Sequence, residues 1–87
     1  MYIIIVYDVN QKRVNKVLKK CREYLYWVQN SVLEGEISAA NLKKMKLELS
    51  TIINNKEDSV IIYNLRTKKY YSREIMGVEK GGMEKII

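Results

Sequence analysis

A chain of 87 residues, 47% hydrophobic and 30% charged, has room for one domain with a modest core, because a chain this size buries only about 60% of its unfolded surface. Sixteen basic against ten acidic residues leave a formal charge of +6, which points to a polyanionic partner, nucleic acid before membrane. The absence of histidine removes the usual general base and the commonest metal ligand, and with them serine–histidine and cysteine–histidine catalysis and the usual zinc sites.

Tyr2 to Tyr7 is a run of β-branched and aromatic residues that predicts a buried strand. It is far shorter than the roughly 20 residues that cross a bilayer, and it has neither a basic leader nor a small-residue cleavage site. The expectation is therefore a cytoplasmic protein without membrane attachment, and the single Cys21, unable to form an internal disulfide, fits a reducing compartment. Asn10 is a helix N-cap, after which Val14, Val17, Leu18, Cys21 and Leu25 recur on one face and predict a helix from Gln11 to Tyr24. Its opposite face carries Lys12, Lys16, Lys19 and Lys20, with Arg13 at the edge.

From Tyr26 to Ile37 the period drops to two, which predicts either one bent strand or a tight pair breaking near Asn30 and Ser31, with Gly35 at a bulge or turn. Ser38 caps a second helix carrying Leu42, Met45, Leu49, Ile52 and Ile53 and ended by Asn54 and Asn55. Ser59 to Leu65 reads as another buried strand and Tyr70 to Met76 as a more exposed one; Gly81 and Gly82 precede a strand-like tail from Met83 to Ile87. The order predicts a single α+β, ferredoxin-like domain, β-α-β-β-α-β with an additional C-terminal strand, its core over about 1–76 and a tail over about 77–87. Two helices cover one face of the sheet. Because the first strand is apolar on both faces, the other face needs a cover, and a second copy packed sheet to sheet would supply it as a homodimer, the tail pairing with the partner's edge.

Asp8 ends the central strand, and its residue chemistry leaves two roles open: the acid only closes a strand or turn, or it is a metal ligand. Magnesium keeps most of its waters and often takes only one or two protein carboxylates, so two copies of Asp8 meeting at a two-fold axis would form a site able to activate water against a phosphodiester. Tyr7 alternates to the other side of the strand, where packing suits it better than phosphate contact. Lys12, Arg13 and Lys16 form either a phosphate-binding face or a solvated one. The stretch YNLRTKKYYSR interleaves Tyr63, Tyr70 and Tyr71 with Arg66, Lys68, Lys69 and Arg73, which suits nucleic-acid stacking and backbone contacts as well as an ordinary hairpin. Cys21 and Ser31, with no histidine to activate them, are structural.

A first strand ending YDV, the basic first helix, the block VQNSVLEGEIS and the closing strand DSVIIYNLR, in this order over nearly the whole chain, resemble the CRISPR-associated protein 2 family. The resemblance implies a homodimer in which Asp8 of each chain flanks a divalent-metal site, with magnesium or another divalent cation as cofactor. Tyr7, matching the family's residue before the aspartate, would stand beside it in the catalytic site. Lys12, Arg13, Lys16 and Arg66 would bind nucleic acid. The implied activity is that of a metal-dependent endoribonuclease or deoxyribonuclease acting on single-stranded RNA or duplex DNA. The same resemblance implies a scaffold that assembles integrase subunits with spacer DNA, and it makes IMGVEKGGMEKII the tail that pairs across the dimer. Leu33 stands where the family usually carries phenylalanine, and Trp27 where a basic residue is frequent. Two competing readings on the same fold are a non-catalytic DNA-binding scaffold and a toxin-type ribonuclease.

Overall fold

Alternation along the first strand gives the molecule two unlike faces. The chain runs β1 (Tyr2–Asp8), α1 (Gln11–Arg22), β2 (Tyr26–Gln29), β3 (Val32–Glu36), α2 (Ala39–Ser50), β4 (Ser59–Leu65) and β5 (Tyr71–Gly77). The computed structural model describes residues 1–65 and 71–80, so Arg66, Tyr70 and the segment Met83 to Ile87 lie outside the described residues. The strands form one antiparallel sheet in the order β2-β3-β1-β4-β5, with β1 at its centre. This is the ferredoxin-like arrangement with a fifth strand added beside β4.

Ile3, Ile5 and Tyr7 of β1, Leu33 of β3, and Val60 and Ile62 of β4 point to one face and are buried. They meet Val17 and Cys21 of α1 and Met45 and Leu49 of α2, which form the other half of the core. Fully burying a side chain of this kind contributes about 1.5–3 kcal/mol. On the opposite face, register aligns Val32, Val6, Ile61 and Ile75 in a row across β3, β1, β4 and β5. All four are only half-buried. An apolar row on the helix-free face is the feature that the continuous hydrophobic run of β1 anticipates.

Both helix N-caps are as expected: Asn10 Oδ1 accepts from the Lys12 amide at 2.9 Å and Ser38 Oγ from the Asn41 amide at 3.1 Å. Helix α1 stops at Arg22 rather than Tyr24, because the Glu23 and Tyr24 amides bond the Lys20 and Cys21 carbonyls in a tighter closing turn. α2 likewise ends at Ser50, and Ile53 reaches the core from the turn that follows. The Tyr26 to Ile37 stretch is the tight pair rather than one bent strand, folding back at Asn30, whose φ of 37° lies in the left-handed region that asparagine tolerates. The irregularity falls between Trp27 and Gln29 in β2 and not at Gly35. Gly35 sits in regular register opposite Ile3, and a Cβ there would meet Leu25 Cδ2 at 3.4 Å. It makes room for a core side chain and turns nothing.

Gly77 is the glycine that the backbone requires. Its φ is +87°, and a Cβ would lie 2.0 Å from the Asp58 carbonyl oxygen. The Gly77 turn lets the Val78 amide donate to that same carbonyl at 2.9 Å, which directs the chain back over the ends of β1 and β4. Gly77→Ala is expected to destabilise the protein by about 2 kcal/mol or more, read as a fall of roughly 10 °C in melting temperature. A melt unchanged by the substitution would contradict this geometry.

Candidate nucleic-acid and metal site

Asp8 occupies the last position of β1, on the helix-free face, with its side chain 73% exposed. Pairing with Ser59 of β4 fixes its backbone on one side, beyond the end of the β3 ladder, while its carboxylate stands in solvent. A cation already lies beside it: Lys80 Nζ is 3.6 Å from Asp8 Oδ2 and donates to the Asp8 carbonyl at 3.3 Å. Lys80 reaches this point through the Gly77 turn, a connection across 72 residues that no local pattern announces.

Register places Asp8 opposite Ser59, one residue from a second acid, Asp58. Asp58 does not add a second ligand to the site. It is completely buried, and its Oδ1 accepts from the Asn10 amide at 2.9 Å and Arg13 Nη2 at 3.1 Å. Its Oδ2 accepts from Arg13 Nε at 2.6 Å and the Asn54 amide at 2.8 Å. A carboxylate has about four lone-pair positions, and here each has its donor. The Arg13 hydrogen bonds, helped by the two backbone amides, hold the Asp58 carboxyl far below the usual carboxylate range against the opposing effect of burial. The same contacts raise Arg13, whose Nη2 also bonds Glu57 at 3.0 Å.

Arg13, expected among the phosphate-binding residues, is therefore placed elsewhere. Its guanidinium forks onto Asp58 and ties the first turn of α1 to the loop before β4, which holds the end of β1 from below. Sequence reading missed Asp58 as a positioning residue, although an acid directly ahead of an apolar strand in the DSVIIYNLR block was the available signal. Tyr7 is also turned away from Asp8. It is 4% exposed and lies in the core under α1, where burial raises its hydroxyl pKa and a Ser31 hydrogen bond partly offsets the effect. Cys21 is buried too, its thiol pushed up to about 12 by desolvation, in keeping with a structural role.

The lysines of α1 divide by position. Lys20 is bridged to Glu23 at 3.1 Å and Glu48 at 3.6 Å, whereas Lys12, Lys16 and Lys19 stand exposed with no carboxylate beside them among the described residues. They form a basic stripe along the helix, and Lys12 lies closest in sequence to Asp8. Of the expected residues the structure thus keeps Asp8, Lys12 and Lys16 at the surface, moves Arg13 and Tyr7 into the framework, and leaves Arg66 outside its described part.

Among the described residues no three His, Cys, Asp or Glu side chains converge as a metal cage. Asp8 offers one exposed hard-oxygen ligand at the end of β1, a donor that suits a cation keeping most of its waters better than one stripped of them, although Lys80 already neutralises part of its charge. No helix among the described residues is long and apolar enough to cross a membrane.

The family model for CRISPR associated protein Cas2 matches residues 1–73. The chain belongs to the Cas2 family. A relative from Dictyoglomus turgidum, named CRISPR-associated endoribonuclease Cas2, is 58% identical over 87 residues and the alignment covers 100% of both chains. Another of that name, from Thermotoga maritima, is 58% identical over 81 residues, 93% of each chain. Among solved structures, a cas2 crystal structure aligns with a TM-score of 0.74 and 45% identity over 100% of this chain and 98% of its own. Streptococcus pyogenes Cas2 at pH 6.5 aligns with a TM-score of 0.70 and 38% identity over 75% and 86%. The five-stranded sheet with two helices on one face is thus the architecture of Cas2 structures.

Proposed function

We propose that this member of the Cas2 family is a magnesium-dependent endonuclease of a cytoplasmic CRISPR system that cleaves RNA as a homodimer. The observation that carries the reading is Asp8: an exposed carboxylate, held by the central strand at the edge of a basic surface, in a chain 58% identical to relatives named endoribonucleases. The half-buried row of Val32, Val6, Ile61 and Ile75 supports the dimer, because apolar side chains on a helix-free face gain from sheet-to-sheet burial. Pairing would bring two Asp8 carboxylates to one axis.

In this mechanism Asp8 of each chain would hold the metal through its carboxylate oxygens, and Lys80, 3.6 Å from Asp8 Oδ2, is the cation that competes for the same oxygens. Magnesium, when bound, would polarise a phosphoryl oxygen and lower the pKa of an attacking water. Lys12 and Lys16 hold the phosphate backbone, and Arg13 with Asp58 keeps the strand end and the first turn of α1 in fixed relation. Tyr7 supports the strand from within the core.

A second reading rests on the lack, among the described residues, of a group of acids converging on Asp8 and on its lysine partner: a dimer that binds duplex DNA on its basic flanks and scaffolds integrase subunits without cutting. Rigorously purified protein, given labelled RNA and labelled duplex DNA with magnesium or with chelator and sized by sedimentation, separates the two. A dimer that cuts RNA only with magnesium supports the nuclease. A dimer that binds duplex and cuts neither substrate in either condition sinks the nuclease in favour of the scaffold.

A further inference from the structure

At the end of α1 remote from Asp8, an exposed aromatic side chain meets the basic stripe. Trp27 is 50% exposed in β2, with the Arg22 guanidinium 5.6 Å from the ring centroid. The indole is held in place: its Nε1 donates to the Asn30 carbonyl at 2.9 Å, inside the hairpin that the left-handed Asn30 turn closes. The only indole N–H thus already has its acceptor, and what the side chain still offers is ring surface. A shallow groove lined by Asn15, Leu18, Lys19, Arg22 and Glu23 runs along α1 and shares Arg22 with the Trp27 contact.

A fixed, half-exposed indole with a guanidinium over its ring at the end of a lysine stripe matches one kind of ligand. The lysines attract a phosphate backbone, and a flat aromatic face accepts any base that is free to leave its neighbours. A blunt duplex keeps its bases stacked and offers that face only phosphates. We propose that Trp27 and Arg22 form a stacking platform for an unpaired base of single-stranded nucleic acid, whose backbone follows Lys19 and Lys16 along α1. The platform rests on the nucleic-acid-binding reading above and adds a preference for single strands to it. It uses no residue assigned to metal binding.

Trp27 is the only tryptophan in the chain, so its emission reports directly on this platform. The experiment titrates the full-length protein with single-stranded oligouridylate and oligothymidylate of about 12 nucleotides and with a blunt duplex of the same length, following unlabelled strands by Trp27 emission and labelled ones by anisotropy. Single strands are expected to quench the emission saturably, in step with the anisotropy rise, whereas the duplex binds without quenching. Trp27→Ala should weaken single-strand binding by roughly five- to hundredfold, the range found for loss of one stacked base, and change duplex binding by less than about twofold. Trp27→Phe, which keeps an aromatic face, should retain most of the affinity. Lys16→Ala and Lys19→Ala should weaken single strands and duplex alike, since phosphate contacts carry no preference for an unpaired base. The uridylate and thymidylate arms tell whether RNA or DNA is favoured. Anisotropy that saturates while emission stays constant, or a Trp27→Ala protein that binds single strands like wild type, overturns the platform and leaves the aromatic rim to a protein partner. No anisotropy change with any strand overturns the nucleic-acid reading beneath it.

Discussion

Asp8→Asn is expected to lower magnesium-dependent RNA cleavage by about 100-fold or more while moving the melting temperature by no more than about 2 °C. The contrast follows from its surroundings. The carboxylate is largely in solvent, and its recorded ion pair is a long one to a partly exposed lysine, a type of contact that adds little to stability. Asparagine keeps the shape of the side chain and removes the charge that a hard cation needs. A variant that cuts as fast as wild type would remove Asp8 from the mechanism, and one that melts far lower would show a framework role instead. Lys80→Met is the companion variant. With the competing ammonium gone from 3.6 Å, cleavage should reach half its maximum at a lower magnesium concentration, and an unchanged or higher requirement would mean that Lys80 does not compete for the site.

The second large effect belongs to Asp58. Asp58→Asn is expected to cost about 3 kcal/mol or more, a fall of roughly 15 °C in melting temperature, because it leaves the Arg13 guanidinium with only the more exposed Glu57 as counter-charge and turns an amide N–H₂ toward donors. The sign of its pH dependence follows from the lowered carboxyl. A group whose folded pKa lies below its unfolded one contributes stability that is fully present above about pH 5 and is lost as the solution is acidified through the folded value. The gap between wild type and Asp58→Asn, measured by chemical denaturation, should therefore be widest near neutral pH and narrow steadily below about pH 4. A gap that stayed constant on acidification would mean that the carboxylate charge is not what Arg13 recognises. Activity should fall in this variant with folding, and any fully folded fraction should still bind metal at Asp8.

The parts of the fold that were legible were those set by neighbours in the chain. Asn10 and Ser38 cap their helices through side chains two and three residues from the amides they bind. The apolar positions of α1 repeat every third or fourth residue, and those of β1 and β4 run without interruption. Boundaries were less legible: α1 and α2 end earlier than their apolar spacing suggests, since Leu25 and Ile53 reach the core from turns and periodicity does not distinguish a turn residue from a helical one. Gly35 misled for a related reason. A glycine in a strand signals either unusual backbone or the close approach of another group, and only the Leu25 side chain packed against it shows the second.

The candidate site divides along the same line. Asp8 stood out because an acid ends a hydrophobic run, and Lys12 and Lys16 because charges recur on one helix face. Arg13 looked like one more member of that set, but its partner is 45 residues away in sequence and reaches it only when β4 pairs with β1 in the observed register. Tyr7 and Asp8 are adjacent in sequence and face opposite ways, a difference that strand alternation suggests and that the helices, by covering one face, turn into burial against exposure. By itself the sequence determined the order of elements, the caps, the core stripes, the basic helix face and the strand-end acid, all of which depend on local spacing and side-chain chemistry. Tertiary structure alone decided that Arg13 binds a buried carboxylate, that Lys80 meets Asp8 and that Trp27 lies against Arg22. Those pairings need strand register and a left-handed turn to bring distant or differently facing residues within a few ångströms, and no periodicity in the chain encodes that distance.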